Sequence, residues 1–420
     1  MRHLTLVSRA LAVGALLLPA AARAQHARPQ CDPDVKLPPG FCATLFADGL
    51  PAPRHIAVAA NGDVFVSLAG TRTEHGGVVA LRDTTGDGKA DVRQAFGDFR
   101  SSEVRLFDGY LYTETTTDIL RYRMRPGALE PVGGPDTVVK GLPPGGNHFF
   151  KTFVIDPKGV LYVNVGSATN ACQSKDRQPG VPGADPCVEL ETRAGIWKFD
   201  ARKLGQTQAT GEHYARGIRN AVGMDIHPGD NVLWTTQHGR DQLNNWPQWN
   251  DSTSAESPGE ELFRVTRGDD FGWPYCYYDM ARQAKLLAPE YGGDGRTAGR
   301  CADKKGHVAV FPAHWAPNGL MFYRGTMFPA RYREGAFIAF HGSWNRAPMP
   351  QQGFRVVFQP LRGNAAAGPY ETFLSGFFED GKPTTLGGRP TGLGQGPDGA
   401  IYVADDMKGR VWRITYTGTR

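Results

Sequence analysis

Three kinds of residue in this chain could do chemistry, and each stands in a glycine-marked context. A histidine closes the run Gly145-Gly146-Asn147-His148. An imidazole titrates near neutrality, so it suits removal of a proton from a hydroxyl; the plainer reading is a hydrogen-bonded loop histidine. Arginines recur in Gly217-Ile218-Arg219-Asn220-Ala221-Val222-Gly223, Gln237-His238-Gly239-Arg240-Asp241, His341-Gly342-Ser343-Trp344-Asn345-Arg346 and Gly388-Arg389-Pro390-Thr391-Gly392-Leu393. A guanidinium fork grips carboxylates at two points, so these residues suit an anionic ligand, against the commoner fate of a solvated charge at a strand end. The third is Asp83-Thr84-Thr85-Gly86-Asp87-Gly88-Lys89-Ala90-Asp91. It is spaced like the start of a calcium loop, but Gln94 stands where the closing Glu belongs, which favours a plain Asp/Gly turn.

A repeated pattern must position these residues. A turn bearing Gly, Asp or Asn leads into an alternating apolar strand at Val64-Phe65-Val66, Tyr110-Leu111-Tyr112, Val160-Leu161-Tyr162-Val163, Val232-Leu233-Trp234, Phe337-Ile338-Ala339-Phe340 and Ile401-Tyr402-Val403. A second apolar strand follows each, at Val78–Leu81, Ile119–Tyr122, Ile196–Phe199, Leu262–Val265, Phe354–Phe358 and Val411–Ile414. Dipeptides such as Asn-Gly supply the positive φ of a tight hairpin, and alternation lets a strand bury its faces between neighbours. Six such pairs predict an all-β, six-bladed β-propeller, with a β-sandwich as the alternative. The 53 glycines and 31 prolines agree with a turn-rich chain. The unusually long gap between Gly229 and Gly335 predicts an insertion around 269–318, with a further strand at Gly319–Tyr323.

The N-terminus reads as a secretory leader: Arg2, an apolar run from Leu11 to Leu18, then Ala20-Ala21-Ala22-Arg23-Ala24. Cleavage after Ala24 leaves 25–420 as a single propeller domain. The apolar run is too short to span a bilayer, so no membrane span is expected, and the protein should be periplasmic or secreted. The net charge of +5 falls towards balance once Arg2, Arg9 and Arg23 leave with the leader, which gives no electrostatic case for nucleic acid. Six cysteines in an oxidising compartment should pair, and their grouping favours neighbours: Cys31–Cys42, Cys172–Cys187 and Cys276–Cys301. Neither metal-type CxxC spacing nor CxxCH for haem is present.

Taken in order and in their places beside the repeats, the glycine-marked motifs resemble the soluble pyrroloquinoline quinone (PQQ)-dependent glucose and sorbosone dehydrogenases, from about Leu37 to Tyr416. His341–Arg346 is similar to the sorbosone branch. The resemblance implies PQQ and Ca²⁺ as cofactors and a sugar as substrate, with electrons passing to a quinone or cytochrome c. It implies His148 as the general base and Arg219 and Asn220 as groups against the quinone, with Arg219 beside the reacting centre. Arg389 matches an arginine that holds PQQ carboxylates, and Thr391 stands where a second would be. Arg346 is the candidate for the family's cofactor-contacting lysine. The backbone carbonyls of Gly239 and Arg240 match the calcium ligands, with Gly-Arg replacing Gly-Pro. Ser167 stands where the glucose dehydrogenases carry an aspartate behind the base.

Two other functions stay open. A calcium-dependent propeller lactonase would bring Glu, Asn and Asp side chains together on one ion. A propeller serving only as a binding platform would need neither a basic slot nor a histidine at the channel mouth. The chain contains no GxGxxG between a strand and a helix, so a nicotinamide cofactor is not expected.

Overall fold

The first and second strands of each repeat noted above prove to be the middle pair of a four-stranded blade. The structure, a computed structural model, describes Met1 and residues 30–418, so the expected leader lies outside the described residues. Blade 1 runs, from the axis outwards, through Pro53–Val58, Val64–Leu68, Gly77–Arg82 and Val92–Phe96. Blade 2 is Val104–Phe107, Tyr110–Glu114, Ile119–Arg123 and Asp136–Val139, and blade 3 is Phe153–Ile155, Val160–Val165, Gly195–Asp200 and Glu212–Arg216. Blade 4 is Met224–Ile226, Leu233–Gln237, Glu260–Val265 and Ala309–Phe311, and blade 5 is Pro317–Phe322, Gly335–Phe340, Arg355–Arg362 and Glu371–Leu374. Blade 6 comprises Pro390–Gln395, Ile401–Asp405 and Arg410–Tyr416, with Phe41–Ala47 as its outer strand. The innermost strands touch one another in a closed ring, so the sheet layers have no open end.

The middle strands are buried on both faces, as in Val64–Leu68 and Gly335–Phe340, which is why they read as near-continuous apolar runs. Between blades lie hydrophobic layers such as Tyr112, Leu161, Val163 and Trp197, or Phe328, Tyr332, Phe337 and Phe373. The inner strands are polar where they face the axis. Thr152 Oγ1 donates to Ala221 O, Thr236 Oγ1 to Pro317 O and Thr391 Oγ1 to Pro53 O, each tying one blade to the next. His55 Nε2 reaches Asn318 O at 2.8 Å, bridging blades 1 and 5.

Antiparallel order puts the loops from second to third strand, and from outer strand to the next inner strand, on one face of the disc. His148, Arg219, Gly239, Arg346 and Arg389 all belong to loops of that face. The glycine turns that reveal the repeat lie on the opposite face, and so does Asp83–Asp91. In that loop Asp83 accepts from the amides of Gly86 and Gly88, and Asp91 from those of Thr84 and Thr85, as in a plain Asp/Gly turn.

The insertion leaves the third strand of blade 4 at the far face and climbs back. Arg216 N donates to Asp269 O and Phe271 N to Arg216 O, so the chain runs up beside blade 3 to the loop face. It carries a hairpin, Cys276–Asp279 with Ala284–Leu287, and ends before Ala309, where the outer strand of blade 4 begins. The expected stretch to 318 therefore includes that strand and the first residues of blade 5. All three expected disulfides are present, Cys31–Cys42, Cys172–Cys187 and Cys276–Cys301. Among the described residues no helix is long and apolar enough to cross a membrane.

Candidate functional site at one mouth of the channel

His148 lies on the loop that enters blade 3, and glycines let that loop pack closely. Gly146 has φ +85°, and a Cβ on Gly166 would stand 2.5 Å from the Cβ of His148 and 3.0 Å from Asn220 Oδ1. Asn147 N donates to Ala168 O and its amide to Asp176, fixing the loop to its neighbour. His148 Nδ1 is 3.0 Å from Ser167 O and 2.9 Å from Ser167 Oγ, while the Ser167 hydroxyl donates to Thr169 O at 2.7 Å. A carbonyl can only accept, and the serine proton is already spent. Nδ1 therefore carries hydrogen, and Nε2 carries the lone pair. Burial, then the Arg219 guanidinium and His238, hold the His148 pKa well below its ordinary value, against Asp241 and the Ser167 carbonyl. The imidazole is held neutral and is oriented by a serine rather than a carboxylate.

Arg219 is 3% exposed and donates to Gly239 O at 2.9 Å, Asn170 Oδ1 at 3.0 Å and Asp241 Oδ2 at 2.8 Å. Asp241 also receives Arg177 at 2.8 Å and the Asn345 amide at 2.5 Å. Burial acts to raise the Asp241 pKa, but Arg219, His314 and Arg177 overcome it and hold the carboxyl well below its ordinary range. Asn220 accepts from Asn164 at 3.3 Å, and its carbonyl takes the amide of His238. His238 is kept neutral, its pKa brought down to about 3 by burial first and then by Arg219 and His341.

A second cluster faces in from blades 5, 6 and 1. Asp406 accepts Arg54 at 2.8 Å, Arg389 at 3.1 Å and His341 Nε2 at 2.9 Å. Burial opposes ionisation of Asp406, yet His341, Arg54 and Arg389 keep it charged far below the usual range. Thr391 is fully buried and bonded to backbone, so it offers nothing to a ligand. Arg54, which the sequence reading missed, supplies a second guanidinium beside Arg389. Phe149 and Phe150, next to His148, lie under guanidiniums: Arg100 is 4.9 Å from the Phe149 ring and Arg54 5.7 Å from Phe150.

The structure brings His148, Arg219, Asn220 and Gly239 together and sets Arg389 in the adjoining cluster. One expected group, Arg346, points elsewhere. Arg346 is fully buried, with Nε on Pro350 O and the other nitrogens on Ala255 O, Ala313 O and Glu256. Its guanidinium anchors a loop and is not presented to a ligand. The Arg240 side chain turns into the insertion, where Glu290 receives it at 2.5 and 2.9 Å, leaving only its carbonyl for the site. The insertion also supports Arg219 from behind, because the Trp273 indole donates to Asn170 O and Asn170 holds both Arg219 and Asp241.

Arg219 Nε and His238 Nε2 are buried without a hydrogen-bond partner among the described residues. Buried polar atoms are normally satisfied, and others such as Trp234 Nε1 and Trp412 Nε1 in the blade layers also lack a partner among the described residues, so these two bear on a ligand only through their place among the guanidiniums. With Arg54 and Arg389 opposite, the donor set suits a planar polyanion. Among the described residues no group of three His, Cys, Asp or Glu side chains is placed to hold a metal. A hard cation here would depend on carbonyls such as Gly239 O, which already accepts one hydrogen bond.

The fold and the site together define a six-bladed propeller with a histidine and a group of arginine–carboxylate clusters at one channel mouth. Residues 35–417 match the TrAA12-like family, and the chain belongs to it. The chain is similar to an aldose sugar dehydrogenase of Escherichia coli, 25% identical over 274 residues covering 64% of this chain and 60% of that protein. It is similar to a PQQ-dependent pyranose dehydrogenase of Coprinopsis cinerea, 25% identical over 311 residues covering 64% of this chain and 39% of that protein. A protein of Borreliella burgdorferi is 31% identical over 216 residues, 49% of either chain. These alignments span less than two thirds of each relative. The same fold occurs in a Trichoderma reesei carbohydrate-active enzyme of family AA12, with TM-score 0.76 at 20% identity, covering 91% of this chain and 97% of that one. It occurs also in the PQQ domain of the Coprinopsis cinerea pyranose dehydrogenase, with TM-score 0.74 at 20% identity, covering 93% and 98%.

Proposed function

We propose that the protein is an exported PQQ-dependent sugar dehydrogenase that oxidises an aldose, sorbosone or related aldehyde. One observation carries this reading: a neutral histidine with its Nε2 lone pair free and three guanidiniums, from Arg219, Arg54 and Arg389, meet at one mouth of the channel. PQQ is a planar tricarboxylate, and Arg219, Asn220, Arg389 and Arg54 would hold it, with Arg219 Nε and His238 Nε2 as the unspent polar atoms. The carbonyls of Gly239 and Arg240 would offer oxygen to calcium. When bound, PQQ takes up hydride and calcium acts as a Lewis acid on it.

The chain's own groups do the rest. His148 Nε2 removes the proton from the hydroxyl on the carbon that loses hydride, so a cyclic aldose leaves as a lactone and a hydrated aldehyde as an acid, each two electrons lighter. Ser167 fixes the tautomer through Nδ1–H and, bearing no charge, leaves the imidazole neutral before the step. Arg219, locked by Asn170 and Asp241, holds positive charge beside the oxygen where negative charge grows. A quinone or cytochrome c would take the two electrons. The three disulfides support a periplasmic or secreted location.

The carboxylate at the centre, Asp241, is already neutralised by Arg219 and Arg177, which is the reverse of what a side-chain metal site for a lactonase needs. The test is reduction of an artificial dye by purified apoprotein with aldoses and sorbosone, with and without PQQ and calcium. Activity that requires PQQ supports the reading. Equal activity with NAD, or ester hydrolysis without PQQ, overturns it.

A further inference from the structure

Trp344 is the largest hydrophobic side chain left open to solvent among the described residues, with 67% of it exposed. Isolated exposed apolar residues are ordinary, but a tryptophan this open, beside a ligand pocket, is not. Nor is it carried by a slack loop. On one side Ser343 donates its hydroxyl to Gln351 Oε1 and its amide to Gln352 O. On the other, the Asn345 amide reaches Asp241 at 2.5 Å and the fully buried Arg346 bonds Pro350, Ala255 and Glu256. The indole is held outwards by the residues on either side of it, so its exposure is part of the built structure.

Its neighbour is equally specific. The Arg177 guanidinium stands 5.9 Å from the ring centroid and at the same time bonds Asp241 at 2.8 Å and Gln242 at 3.1 Å. Trp344 is thus linked to the pocket through Arg177, Asp241 and Arg219 in turn, beyond the groups that would touch the reacting carbon. A flat apolar face flanked by a fixed guanidinium suits a pyranose ring, whose axial C–H bonds lie on an aromatic face while its hydroxyls take hydrogen bonds at the edge. We infer that Trp344 and Arg177 form a second sugar subsite at the lip of the pocket. The substrate is then a chain of two or more sugar units, with the unit next to the reacting one stacked on Trp344. This rests on the sugar dehydrogenase reading for the reaction, but the binding it requires does not.

Isothermal titration of the full-length protein with cellotriitol and maltotriitol, whose reducing ends are blocked, tests the subsite without turnover. At least one should bind, and Trp344→Ala should weaken it about 3- to 10-fold, the usual worth of a stacked aromatic contact. Trp344→Phe should recover part of the loss. With PQQ-loaded protein, Trp344→Ala should lower kcat/KM for the matching disaccharide by a similar factor and leave the monosaccharide unchanged. No binding of either alditol, or binding indifferent to Trp344, overturns the subsite. An equal fall with mono- and disaccharides also overturns it and points to the electron acceptor as the occupant. If no sugar is oxidised but an alditol still binds through Trp344, the subsite stands and the dehydrogenase reading fails.

Discussion

Replacing Arg219 by leucine separates the two duties of that residue. The side chain gives three hydrogen bonds, and its loss leaves Asp241 buried with Arg177, Asn345 and His314 as remaining partners. Removing one member of a buried ion pair costs about 3–5 kcal/mol, and Arg177 should keep the value near the lower end. At about 2 cal/mol/K of unfolding entropy per residue, about 3 kcal/mol in a chain of this size lowers Tm by roughly 3–4 °C. Adding Asp241→Asn removes the stranded charge, so the double variant should regain about half or more of that stability, a coupling of about 1.5 kcal/mol. PQQ binding should not return, because the guanidinium is still absent; a lost charge-assisted contact of about 1.5–3 kcal/mol weakens affinity roughly 10- to 150-fold. Thermal denaturation of apoprotein and fluorescence titration with PQQ read the two effects separately. Additive destabilisation in the double variant would refute the ion pair as the source of the cost, and PQQ affinity recovering with stability would refute Arg219 as a ligand.

His148→Ala should keep PQQ bound and lower turnover about 100- to 10,000-fold, the usual worth of a positioned base, as measured by steady-state kinetics beside a PQQ titration. Because burial and Arg219 depress the His148 pKa, the base stays neutral below its ordinary range, so kcat/KM should remain flat as pH falls through about 6.5. A falling acid limb centred there contradicts the assignment. Ser167→Asp places a negative charge against Nδ1–H, which favours the protonated ring, and should move that acid limb upwards in pH. Selective loss of Cys172–Cys187 in a double serine variant should cost about 3 kcal/mol for a loop of this length, and it should weaken PQQ binding as well, since Cys172 follows Asn170 so closely; an unchanged PQQ affinity would show that the disulfide supports only the loop.

The second and third strands of every blade were legible because turn residues and double-sided burial leave a strong local pattern. The inner strands were not, apart from Gly319–Tyr323, because they carry polar residues such as His55, Asn318 and Thr391 that break apolar alternation. Outer strands such as Val92–Phe96 are largely exposed and carry almost no pattern. At the site, His148, Arg219, Asn220 and Arg389 stand in motifs that survive as short strings. Arg54 and Asp406 meet across the closure of the ring from opposite ends of the chain, so no local string marks them. Arg346 was misplaced for a different reason: a sequence displays a charge but not whether its donors are already taken. The Asp241 carboxylate was in view beside Arg240, and its separation of four residues from Gln237 at a strand end was the available signal.

Blade 6 is closed by pairing Phe41 with Tyr416, strands separated by nearly the whole described chain. A chain emerging from synthesis holds one half of this latch before blades 1 to 5 have formed and gains the other only after them. Until then the Phe41–Ala47 strand is an unpaired edge and the blade 1 interface lacks its neighbour, surfaces that favour association with other unfinished copies. Holding chaperones should therefore matter more to yield than the stability of the finished ring. The same latch brings Gly40 and Thr417 into hydrogen-bonding contact, so a permutant with these segments joined and new ends cut at a turn of the face opposite the pocket should still assemble.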